Sequence, residues 1–82
     1  MEIILKKQPR KYLDSVDINT REKLYKALDS LLMLDGDIVK LKGKANKYRL
    51  KINHYRIIFE YDSKKGQIII VSAINTRTNI KY

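Results

Sequence analysis

The 82-residue sequence has no cysteine and no tryptophan, one histidine, one proline and three glycines. Each shortage removes a class of explanation. Without cysteine there is neither a disulfide staple nor a thiolate metal site. With His54 as the only histidine, a two-histidine acid–base pair is excluded, and a Ser-His-Asp system would need its base in a turn with no supporting motif. Gly36, Gly43 and Gly66 are scattered through the chain, so no glycine-rich phosphate loop can form. No apolar run approaches the roughly 20 residues that span a bilayer, and the short apolar start, Met1–Leu5, is broken by Glu2. A cytoplasmic chain without membrane contact is expected. At this length, residues 1–82 are expected to form a single domain of modest stability.

Acidic residues are also scarce, and unevenly so. Residues 1–41 carry eight Lys/Arg and seven Asp/Glu, a net charge of +1. Residues 42–82 carry ten Lys/Arg against only Glu60 and Asp62, a net charge of +8, which completes the overall +9. A positive balance concentrated in one half points to phosphates or to an acidic partner chain. Two carboxylates among so many cations make a poor metal site, so neither metal nor cofactor is expected.

The charge lies on strands. In Lys44–Tyr61, Lys47, Arg49 and Lys51 alternate with Tyr48, Leu50 and Ile52. After Asn53-His54, read as a tight turn, Tyr55, Ile57, Phe59 and Tyr61 alternate with Arg56, Ile58 and Glu60. Period-two alternation marks strands with one buried face. The other face is then cationic.

The remaining elements follow from pattern. Glu2–Lys6 reads as a first strand. Pro9 suits the first turn of a short helix that ends near Ser15–Asp17, with Tyr12, Leu13 and Val16 on one face. A second helix is expected from Asn19, capped by Asn19 with Glu22 completing a capping box. Its stripe is Leu24, Ala27, Leu28, Leu31 and Leu34, widened by Leu32, and Asp35-Gly36-Asp37 ends it. Ile38–Gly43 reads as a connector with Val39 and Leu41 turned inward. Asp62–Gly66 is a turn, and Gln67–Ile74 a last strand, apolar on both faces and therefore expected to be central and covered on both sides. The predicted fold is α+β: a strand, a two-helix hairpin, then a three-stranded antiparallel meander, with the helices on one face of the sheet.

A cationic sheet without metal can still cleave RNA, because RNA carries its own nucleophile in the 2′-OH. The protein must orient the phosphate, neutralise its developing charge and move two protons. A lysine held among other cations gives up its proton more readily, and Lys51, beside Arg49 and Arg56, is in that position.

Val39–Gly43, Lys47–Ile52, Tyr55–Tyr61 and Ile74–Tyr82 together resemble the RelE/ParE superfamily of toxins from type II toxin–antitoxin modules, and the order of elements is similar over essentially the whole chain. The resemblance implies a small cytoplasmic toxin that enters the ribosomal A site and cleaves mRNA by 2′-OH attack, leaving a 2′,3′-cyclic phosphate. It implies a cognate antitoxin that wraps the toxin, and operator DNA reached only through that antitoxin. The catalytic set would be Lys51, Arg56, Arg77 and Tyr82, with Lys44, Lys47, Arg49 and Lys81 binding substrate. Arg77 rests mainly on the resemblance. Asn75-Thr76 replaces the Gly-His or Gly-Lys that usually precedes the arginine, and the distance from it to a terminal aromatic varies in such proteins. The alternatives are a ParE-like gyrase inhibitor that cuts nothing, and a non-catalytic RNA-binding module.

Overall fold

The computed structural model describes residues 2–62, 64 and 66–82. Two helices, α1 (Lys7–Ser15) and α2 (Ile18–Leu31), follow a first strand β1 (Glu2–Leu5). Four more strands come after them: β2 (Asp37–Lys40), β3 (Lys47–Ile52), β4 (Tyr55–Tyr61) and β5 (Ile68–Thr76). They form one sheet in the order β1-β5-β4-β3-β2. β2 to β5 are antiparallel neighbours, and β1 pairs parallel to β5, so the sheet is mixed. The chain is α+β as expected, with the meander one strand longer.

Both helices cover one face. Leu13, Leu24, Ala27, Leu28 and Leu31 are buried together with Leu50, Ile57, Phe59, Ile69, Val71 and Ile74. Tyr48, Tyr55 and Tyr61 pack against this cluster, and Tyr48 stacks on Phe59 with ring centroids 5.5 Å apart. The alternation in β3 and β4 thus sorts as the sequence implied, with the apolar side chains under the helices.

Two side chains tie the helices down. Gln8 donates from Nε2 to the carbonyl of Ile74 at 2.8 Å and accepts from its N–H at 2.9 Å. β1 stops at Leu5, opposite Val71, so Gln8 satisfies backbone that β1 leaves open. Arg21, in the first turn of α2, donates to the carbonyls of Leu13, Asp14 and Val16. It neutralises the C-terminal end of α1, which has no basic residue in its own last turn.

Several expectations are corrected. The cap of α2 is Asp17, not Asn19: its carboxylate accepts from the N–H groups of Asn19 and Thr20, and the helix starts at Ile18. Asp17 adds a charge facing the helix dipole, which Asn19 would not. Ile38–Gly43 is no simple connector, because Asp37–Lys40 forms the edge strand β2. Ile38, not Val39, turns toward the core, and Val39 is 47% exposed. Leu32 and Leu34 lie beyond the helix and are exposed; Leu34 takes the left-handed conformation that closes it. β5 is central, but only its helix side is covered: Ile68 is 42% exposed on the other face, where Ile4, the partner of Ile70, is 43% exposed. The turn expected over Asp62–Gly66 falls partly outside the described residues.

Two measurements check these contacts. The Asp17 carboxylate is held below its ordinary value of 3.8, first by the Thr20 hydroxyl and then by backbone N–H groups. A depressed carboxylate stabilises the fold above its unfolded value and loses that contribution as pH falls through the folded value. Asp17→Ala therefore lowers the melting temperature at pH 7, and the gap from the parent closes as the pH drops below 3.8. Gly36 has a φ of +119°, and a Cβ there would stand 2.8 Å from Leu50 Cδ1. Gly36→Ala is expected to cost about 1–3 kcal/mol in urea denaturation, from the strained φ and the clash together.

Candidate functional site

The helix-free face is read off the strand register, since residues opposite one another on neighbouring strands share a face. One row across β2–β5 is Asp37, Lys51, Arg56, Asn75. The next is Val39, Arg49, Ile58, Ala73. A third runs from Lys47 through Glu60 and Ile70 to Ile4. A register shift between Ile58 and Phe59 leaves Ser72 without a partner on β4, and its hydroxyl donates to the Ile58 carbonyl at 3.2 Å. Positive charge thus gathers toward the β3–β4 turn. It fades in the third row, where Lys47 and Glu60 form an ion pair at 3.5 Å.

The turn end also receives Arg77. Its N–H donates to the His54 carbonyl at 2.7 Å, extending the β4–β5 pairing past Thr76. Asn53 takes the left-handed conformation in this turn, φ 52°, as asparagine tolerates. Lys51, Arg56 and Arg77 therefore lie at one end of the sheet, with Arg49 one row behind. Lys51 and Arg77 are exposed, Arg49 is half-buried and Arg56 is 8% exposed.

The two arginines of the sheet differ in their bonds. Arg56 Nη1 donates to the carbonyls of Asn53 at 3.0 Å and Tyr55 at 2.9 Å, so part of its guanidinium braces the turn. Arg49 Nε is buried and meets no acceptor among the described residues. An unmet buried donor costs about 1–3 kcal/mol. On a cationic face, it is a place where an anionic oxygen would be taken up.

The other four candidates lie elsewhere. Lys44 stands in the loop before β3, and its Nζ donates to the main-chain oxygen of Tyr82. The tail's end, with exposed Lys81 next to it, is thus held at the Lys44 end of β3. Lys47 and Lys51 are about 13 Å apart along that strand at about 3.3 Å per residue. The eight candidates therefore form two groups, Arg49, Lys51, Arg56 and Arg77 at one end, Lys44, Lys47, Lys81 and Tyr82 toward the other. The Tyr82 side chain is 53% exposed.

One residue of the site escaped the sequence reading. Asp37 pairs with Lys51 in register and is the carboxylate of the leading row. No motif marks it, and reading residues 38–43 as a connector hid the strand that places it there. Among the described residues, no three of His, Asp and Glu come together as a metal site requires. A cleft of about 340 Å³ opens at the far end of the sheet, between Asn46, Glu60, Asp62, Ile68 and Ile70. It is remote from the cationic row.

Arg56 and Lys51 should separate in a stability measurement. Arg56→Ala removes two bonds donated by a charged group in a buried setting and is expected to cost about 2 kcal/mol in urea. Lys51→Ala, at an exposed position, should stay within about 0.5 kcal/mol of the parent.

No family profile matches the chain, and no curated protein is recognisable as a relative by sequence. Solved structures do match. The RelE–RelB complex of the archaeon Pyrococcus horikoshii contains a chain that superposes with a TM-score of 0.76 at 22% identity, covering 96% of this chain and 97% of that one. The RelB–RelE antitoxin–toxin complex of Methanococcus jannaschii gives 0.71 at 26% identity, covering 92% and 91%. The isolated RelE toxin of E. coli gives 0.72 at 20% identity, covering 90% and 81%. The matches run through strands and helices alike, and this chain has the fold of the RelE toxins.

Proposed function

We propose that this chain is the toxin of a type II toxin–antitoxin module, a metal-independent endoribonuclease that cuts mRNA in the ribosomal A site and so stops translation. The observation that carries the reading is the gathering of Lys51, Arg56 and Arg77 at one open end of the sheet, with the unmet donor of Arg49 behind them. Such a constellation suits a phosphate in extended single-stranded RNA. It is short of the groups that a metal or histidine nuclease needs.

The chemistry assigns a part to each side chain. Lys51 takes the proton of the 2′-OH as that oxygen attacks the neighbouring phosphorus. Arg56, through the donors not engaged with the turn, and Arg49 hold the non-bridging oxygens as their charge rises. The bond from phosphorus to the 5′ oxygen breaks, leaving a 2′,3′-cyclic phosphate on one fragment. Arg77 stabilises the departing 5′ oxygen, which takes a proton from solvent water and leaves as a 5′-hydroxyl. DNA is spared because it lacks the nucleophile. Lys44, Lys47 and Lys81 attract the RNA backbone as it runs on from the cleavage group, and Tyr82 offers a ring on which a base can stack.

The partner would be a cognate antitoxin. The structures from Pyrococcus horikoshii and Methanococcus jannaschii contain a RelB chain beside the RelE chain. The excess positive charge of residues 42–82 suits an acidic segment of such a protein, and operator DNA would be met only through it.

Induced expression with primer-extension mapping tests the reading. The parent should arrest growth and cut a translated message in phase with codons, while an untranslatable copy stays intact. Lys51→Ala and Arg77→Ala should each lower cleavage by about 10²–10³-fold, the scale of losing one preorganised charge stabiliser or proton carrier. Growth arrest by both variants equal to the parent's sinks the residue assignment. Arrest with a DNA-damage response and no RNA cuts sinks the nuclease reading in favour of a gyrase inhibitor.

A further inference from the structure

The cleft at the far end of the sheet has no part in the cleavage chemistry. Residues 42–82 contain only two carboxylates, Glu60 and Asp62, and both line it. Its apolar lining includes Ile68 and Ile70. They stand two residues apart on β5 and so share a face, where Ile68 is 42% exposed. The volume of about 340 Å³ is at the small end of the about 300–1,000 Å³ of ligand pockets. That suits one planar ring system, its face on the isoleucines and its edge toward the carboxylates.

The two carboxylates are not equally free. Asp62 Oδ1 accepts from the Lys64 N–H at 2.9 Å, and Oδ2 accepts from Asn46 Nδ2 at 3.4 Å. Asp62 thus joins the loops before β3 and after β4 into one wall. Glu60 meets Lys47 through Oε1 at 3.5 Å, and its Oε2 has no hydrogen bond among the described residues. The two side chains of that pair are 37% and 31% exposed, so the pair contributes little to stability. It does hold the Glu60 carboxylate at the cleft with one oxygen left for a ligand.

The position of the cleft indicates that ligand. Asn46 lies between Lys44 and Lys47 in the chain, and Lys44 holds the main chain of Tyr82. Glu60 is four residues along β4 from Arg56, about 13 Å at about 3.3 Å per residue. A strand with one phosphate at Arg56 and its backbone drawn toward Lys47 and Lys44 passes the cleft. A carboxylate repels the phosphates of such a strand and accepts from N–H donors on its base edges. We propose that the cleft is a base-selective subsite for single-stranded RNA, taking a nucleobase whose exocyclic amine donates to Glu60 Oε2: adenine, cytosine or guanine. The proposal deepens the RNA-directed reading of the sheet and rests on it. Uracil has no amine; it carries carbonyl oxygens instead and sets one against the carboxylate.

The test titrates isotope-labelled protein with the 5′-monophosphates of adenosine, cytidine, guanosine and uridine, and with ribose 5-phosphate. It follows the backbone amide resonances of Glu60, Asp62, Ile68 and Ile70. The three amine-bearing nucleotides should shift these resonances and ribose 5-phosphate should not. Uridylate should bind about tenfold more weakly, the scale of one well-placed contact between a side chain and a base edge. Glu60→Gln should close that gap, because its amide donates to a carbonyl as readily as it accepts from an amine. Equal shifts by ribose 5-phosphate overturn the proposal, as does the absence of a cleft shift with every nucleotide, or a gap that survives in Glu60→Gln. L-Argininamide stands in for a basic side chain of a partner protein. If it saturates the cleft at a lower concentration than any nucleotide, the cleft is a protein-docking surface instead. None of these readouts needs RNA to be cut. Arg77→Ala should lose cutting and keep the cleft shifts, and a parent that shows the shifts yet cuts nothing upholds the base site and fails the nuclease reading alone.

Discussion

The cationic face depends on one constraint, the register of the β3–β4 hairpin. Side chains alternate with a period of two, so a slip of one residue would turn Arg49 and Lys51 into the core and Leu50 out of it. Three features oppose the slip. Leu50, Ile57 and Phe59 are buried under the helices. The turn holds Asn53 in a conformation that few residues other than glycine and asparagine accept. Arg56 then bonds the carbonyls of that turn. The residue proposed to clamp a phosphate therefore also fixes the strand that carries it, and its two tasks compete for the donors of one guanidinium.

Much of this was legible because it is periodic. The alternation in Lys47–Tyr61 and the stripe Leu24–Leu31 identified the core and the face of the sheet that carries the cations, though not that Arg56 would be buried there. What escaped was decided by competition between neighbouring residues or by tertiary contact. Asp17 and Asn19 both suit a helix cap, and the charge of Asp17 favours it at a positive helix end. Asp37–Lys40 is too short and polar to announce a strand, and exists because β3 offers it an edge to pair with. The isoleucine run of β5 correctly signalled a central position. It could not reveal that only one face would be covered, since centrality and coverage leave the same composition. The site divides in the same way. That Lys51 and Arg56 sit on strands was legible from spacing, whereas Arg77 came from the resemblance and its place is set by a hydrogen bond across the end of the sheet, and the position of Tyr82 depends on Lys44, 38 residues earlier in the chain.

The open edge of β5 is a consequence of β1's brevity. A longer first strand would have paired Ser72–Thr76 and separated α1 from the hairpin turn. Because β1 ends at Leu5, α1 begins at once and Gln8 supplies the hydrogen bonds that a longer β1 would have made. A side-chain amide in place of a strand protects that edge from pairing with another chain.

The arrangement of charge is unfavourable in the isolated chain. Lys51 and Arg56 stand directly opposite each other, an arrangement that destabilises a strand pair. Arg49 keeps a buried donor unmet, and the cations of α1 oppose its dipole. In a domain this small such terms are a sizeable share of the net stability. A polyanion bound on the cationic face of the sheet would relieve the first two at once, and what binds only the folded state stabilises it in proportion to the logarithm of its concentration over its dissociation constant. An RNA backbone and the acidic segment of an antitoxin would draw on the same relief. Occupancy by one would then exclude the other through charge alone, without any change in the fold.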